Sequence, residues 1–133
     1  MDKELLKQNI ENAFANFKAA IAPHENINTK RADGGWSVGE TGNHIVKSTG
    51  VDFGATQSTE RPYDKHAAAI KKLFLNYTIK FPADPSLWPD TKHYSGDEIF
   101  TSLDKNKLAV FKMISNEDLT KTCTDIELPV WGT

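Results

Sequence analysis

Apolar residues recur at helical spacing in four stretches of this chain, and no pair of alternating strands with a hairpin turn accompanies them. In residues 3–21, Leu6, Ile10, Phe14, Phe17 and Ile21 fall on one helical face. Ala13, Ala15, Ala19 and Ala20 add helix propensity there. Pro23 and the polar run to Gly35 end that helix, and Asp33-Gly34-Gly35 is a turn signal. Ser37 opens the second helix. With Glu40 it makes a capping box, in which the serine side chain and the glutamate satisfy two early backbone N–H groups. Trp36 stands just before the cap, free to pack on Thr41 or a neighbouring helix. Val38, Gly42, Ile45, Thr49 and Phe53 continue the face, and the end falls between Gly50 and Gln57.

After Arg61-Pro62, residues 64–81 read as a third helix, with a stripe of Ile70, Leu73, Phe74, Tyr77 and Phe81. Pro82, Pro85 and Pro89 make an irregular connector around Leu87 and Trp88. Ser95-Gly96-Asp97-Glu98 is a second capping box. The helix it opens carries Phe100, Leu103, Val110, Phe111 and Ile114 on one face, with Ile99 at the margin. Residues 116–119 read as a short turn, and the tail from Cys123 to Trp131 as extended chain. The fold class expected is all-α, a bundle of amphipathic helices.

The 133 residues suit one domain with a real core. A formal charge of −2 gives no bulk attraction to nucleic acid or to an anionic membrane. A local basic patch is a separate matter, and Lys71-Lys72 is the one adjacent lysine pair. The single cysteine, Cys123, can make no internal disulfide and no multi-cysteine zinc site. With no apolar leader and no run near the ~20 residues of a membrane span, the expectation is a cytoplasmic protein.

Glu40 and His44 are one helical turn apart and project from the same side. His44 sits at the edge of the apolar stripe. It can be a metal ligand or general base, or simply a half-buried, hydrogen-bonded histidine; spacing alone favours the latter. His24, His66 and His93 have no partner at helical spacing and read as solvated. Cys123 reads as a small buried or half-buried thiol, and Trp36, Trp88 and Trp131 as packing residues. Asn76-Tyr77-Thr78 matches the glycosylation sequon but puts Tyr77 on the expected core face. No P-loop, dinucleotide fingerprint or nucleophile elbow is present.

In their order along the chain these features resemble the DinB/YfiT-like superfamily, in its DinB_2-type branch. The resemblance rests on Gly35-Trp36-Ser37 leading to Glu40 and His44. Arg61-Pro62-Tyr63-Asp64-Lys65, the aromatic run Leu73-Phe74-Leu75-Asn76-Tyr77, the proline connector 81–89 and Glu127-Leu128-Pro129-Val130-Trp131-Gly132-Thr133 add to it. It implies a single domain over 1–133: an up-and-down helical bundle of the four-helix type. The family holds a divalent metal, zinc or nickel, with three histidines. His44 matches the ligand on the second helix. The other two come from an H-x-x-x-H pair on a last helix that is missing or incomplete here, so the expected domain is either truncated at its C-terminus or a natural short form that dimerises.

The implied function is divalent-metal binding, related to metal-dependent thiol S-transferases or hydrolases, with an incomplete metal site. The implied substrate is a small molecule, with Glu40 placed to support His44. The alternative is a non-catalytic helical domain that self-associates, as a homodimer, or binds a partner through an open apolar groove. No nucleic acid and no membrane partner is expected.

Overall fold

A computed structural model describes residues 1–50 and 52–126 of the chain. Among them the chain is mostly helical. The elements are α1 (Lys3–Ile21), α2 (Val38–Thr49), β1 (Thr56–Gln57), α3 (Ala67–Phe74), a 3-10 turn (Pro85–Leu87), α4 (Gly96–Asn116) and β2 (Thr122–Cys123). They fall into two compact units, residues 1–50 with 84–116, and residues 52–83 with 117–126.

The first unit holds the core. α4 packs against both α1 and α2. Buried Ile21 from α1, and Ile99 and Leu103 from α4, meet Ile27 and Tyr94 from the loops; Phe14, Phe17, Val38, Ile45, Val46 and Phe100 close around them. Ile99, at the margin of the sequence stripe, is in the centre of this core. Ile27 and Tyr94 have no helical period to reveal them. The Gly39 N–H holds the Ile27 carbonyl at 2.6 Å, and Tyr94 is held by Asn28, whose side chain accepts from the Tyr94 N–H at 2.8 Å and donates to the Tyr94 carbonyl at 2.9 Å. That amide satisfies loop backbone that would otherwise be unpaired as Tyr94 is buried.

α1 starts where Asp2 accepts from the Leu5 N–H at 2.9 Å. Lys18 pairs with Asp104 at 2.5 Å and Lys107 with Glu11 at 2.8 Å, tying the polar flanks of α1 and α4. Two glycines let α2 approach its neighbours closely. A methyl at Gly39 would lie 2.9 Å from Tyr94 Cβ and 3.0 Å from the Ile27 carbonyl; one at Gly42 would lie 2.8 Å from Ile99 Cδ1. α2 ends at Thr49, so Phe53 lies beyond the helix and is exposed. Asn106 of α4 donates to the Val46 carbonyl at 2.8 Å and the Thr49 hydroxyl at 3.0 Å, tying α4 to the last turn of α2.

The second unit corrects two expectations. The third helix covers Ala67–Phe74 and not 64–81. The chain turns at Asn76, whose side chain accepts from the Thr78 N–H at 3.2 Å and the Thr78 hydroxyl at 2.6 Å. Such local bonds compete with the helix. A short antiparallel ladder also occurs, with Thr56 opposite Cys123 and Gln57 opposite Thr122. Beside it the Thr124 N–H donates to the Ala55 carbonyl at 2.9 Å, and Asp125 accepts from the Ala55 N–H at 2.8 Å. Gly54, at φ +66°, makes room for that carboxylate. The rest of the expected extended tail, from Glu127 through Trp131 to Thr133, lies outside the described residues, as does its part in the family resemblance.

Candidate functional site around His44

The site begins with the cap of α2. The buried Ser37 hydroxyl accepts from the Glu40 N–H at 3.1 Å, and Glu40 Oε2 accepts from the Ser37 N–H at 2.8 Å. The capping box is complete on both sides. Glu40 Oε1 takes the Lys30 ammonium at 2.5 Å. The Lys30 bond and then the Ser37 N–H hold the Glu40 carboxyl below its usual range. Both Glu40 oxygens are therefore taken, Oε2 by the helix start and Oε1 by Lys30. His44 is positioned by something else.

That partner is the carbonyl of Leu87, 2.8 Å from His44 Nδ1. A carbonyl only accepts, so Nδ1 carries the proton. In the neutral ring the lone pair is then on Nε2. Nε2 has no hydrogen-bond partner among the described residues. The ring also lies against Trp36, with centroids 5.0 Å apart and planes at 46°. Trp36 thus packs on the histidine, about two helical turns along α2 from the cap.

The proline connector is drawn onto α2 by three of its side chains. Asn43 accepts from the Asp90 N–H at 2.9 Å, and His44 takes the Leu87 carbonyl. Lys47 donates to the Trp88 carbonyl and pairs with Asp90, both at 2.7 Å. Asp84 starts the 3-10 turn by accepting from the Ser86 N–H at 2.8 Å. The Ser86 hydroxyl, and then its N–H, keep the Asp84 carboxyl below its ordinary range. The Tyr94 hydroxyl donates to the Asp90 carbonyl. The bonds from α2 to the connector are not legible from local spacing, because each joins residues more than 40 positions apart in sequence.

Other sequence candidates fall elsewhere. His24 and His93 line a cleft of about 610 Å³ with Asn28, Tyr94 and Phe100, and His44 does not line it. His66 is half-buried just before α3. Cys123 is a half-buried free thiol on β2. No group of three or more His, Cys, Asp or Glu side chains that could hold a metal ion occurs among the described residues. His44 fits one donor position; the described residues do not complete the three-ligand set of a catalytic zinc. No helix among them is long and apolar enough to cross a membrane.

Compared with known proteins, the chain matches no family model, no curated protein and no solved structure.

Proposed function

We propose that this is a cytoplasmic DinB/YfiT-like protein that binds a divalent metal, zinc or nickel, with His44 as one ligand. The observation that carries the reading is the Nδ1–H bond to the Leu87 carbonyl, which leaves Nε2 as the donor nitrogen. Metal-binding histidines are commonly oriented by such a bond on the other ring nitrogen. A second copy in a homodimer would add its own His44 as a second donor. S-transfer or hydrolysis on a small molecule is the family chemistry this would serve. No step is assigned to the described residues, which supply a single donor.

Calorimetric titration with nickel and with zinc tests it. The expected result is stoichiometric binding that His44→Ala abolishes. Absence of binding, or equal binding by the variant, overturns it.

A second reading has the chain act through an interaction surface. Phe74, Leu75, Tyr77, Ile79 and Phe81 favour it, because all five are exposed.

A further inference from the structure

We infer that residues 65–81 form a docking surface for an anionic phospholipid membrane. The inference rests on the interaction-surface reading and names its partner. Large apolar side chains are concentrated here: Tyr77 is 83% exposed and Phe74 60%, with Leu75, Ile79 and Phe81 close behind. They are held in a defined arrangement. The Asn76 turn carries Tyr77, the Ile79 N–H donates to the Asn76 carbonyl at 3.1 Å, and the Phe74 and Phe81 rings meet across the turn at 5.8 Å.

Charge decides what such a surface meets. Between Asp64 and Asp84 the chain has four lysines, Lys65, Lys71, Lys72 and Lys80, and no carboxylate, against −2 for the whole chain. All four are exposed, and none pairs with a carboxylate of a described residue. A second copy is a poor occupant. A two-fold interface sets a patch against itself, so lysine would face lysine with no acid between. Nucleic acid would use the lysines and stack on the aromatic rings, but it has no use for the aliphatic Leu75 and Ile79. A lipid surface uses all of them. Phosphates and carboxylates of the headgroups meet the lysines, while Phe, Leu and Ile enter the acyl boundary and Tyr stays at headgroup level. The membrane is met from one side, without a spanning helix.

The test is co-sedimentation of the full chain with vesicles of phosphatidylcholine, alone or mixed with phosphatidylserine. Binding is expected to the mixed vesicles only, and to fall with added salt. Each lysine near the surface is worth roughly fivefold in partitioning, so Lys71→Gln with Lys72→Gln should weaken binding by about thirtyfold. Tyr77→Ser, at a site too exposed to disturb folding, should weaken it on the order of tenfold. Equal binding to both vesicle types, or indifference to these substitutions, overturns the proposal. So does binding to a single-stranded oligonucleotide in place of vesicles. Concentration-dependent self-association without vesicle binding overturns the lipid partner but leaves the interaction reading standing. A monomer that binds neither vesicles nor an apolar dye ends both.

Discussion

The two compact units are stabilised by different means. In residues 1–50 with 84–116, Ile21, Ile27, Tyr94, Ile99, Leu103 and Ile114 are buried, and two glycines of α2 admit close packing. In residues 52–83 with 117–126, Thr122 is the one buried side chain among the described residues. Beside the Phe74–Phe81 ring contact, polar and backbone contacts recur there: a two-residue ladder, Asp125 on the Ala55 N–H, and Arg61 on the Thr122 hydroxyl. α3 has as clear an apolar stripe as α1 or α4, yet no residue of it is buried. A helical stripe therefore states what a segment can bury. Whether it does so depends on a partner surface.

Substitutions can break or sharpen this contrast. The largest difference is expected between Leu103→Ala and Phe74→Ala. Leu103 is fully buried, and its truncation should cost about 3 kcal/mol in urea unfolding. Phe74 is exposed, and its truncation should stay within about 0.5 kcal/mol. A comparable loss at both sites would erase the distinction.

Gly39→Ala comes next. Alanine favours a helix over glycine by roughly 1 kcal/mol, but here the added methyl meets Tyr94 and the Ile27 carbonyl. Net destabilisation of about 2 kcal/mol is expected, read from the thermal midpoint. In the other unit the sensitive glycine is Gly54, where backbone conformation and the Asp125 carboxylate both resist a side chain. Gly54→Ala should cost on the order of 1–2 kcal/mol locally. It should appear as faster amide exchange at Ala55, with α1 and α4 unchanged; protection lost in those helices would show that the units unfold together.

Ser37→Ala should cost about 1 kcal/mol through loss of the cap. The smallest effect concerns pH. The Glu40 carboxyl is held below its ordinary value of 4.5 in the folded chain. Its contribution is thus present above that pH and is lost as pH falls through the lower folded value. Urea midpoints measured downward from pH 4.5 should fall less steeply in Glu40→Gln. Parallel curves would remove Glu40 from the account.

Much of the first unit was legible in the sequence because its determinants are local. The stripe from Leu6 to Ile21 marks α1, and Ser37 with Glu40 marks the start of α2. Ser95 likewise accepts from the Glu98 N–H at 3.1 Å at the start of α4, although the Glu98 carboxylate pairs with Lys92. What escaped is long-range or very short. Ile27 and Tyr94 are core residues on loops, held by the Gly39 N–H and by the Asn28 side chain. The β1–β2 ladder is too brief to show alternation. The stripe predicts too long a third helix because it runs on through Tyr77 and Phe81, while the Asn76 side chain turns the chain first. At the site, spacing put Glu40 beside His44. The Leu87 carbonyl that orients the ring, and the Lys30 ammonium that occupies Glu40, come from elsewhere in the chain and leave no mark on spacing.

The grip of α2 on the connector makes an irregular segment behave as part of a helix. The Asp90 amide has its acceptor on Asn43, so it exchanges with solvent only when that side chain lets go. Its exchange rate should follow the opening of α2 and not the faster fluctuations typical of proline-rich loops. A single backbone amide outside any helix thereby becomes a spectroscopic gauge of whether the helix carrying His44 is formed.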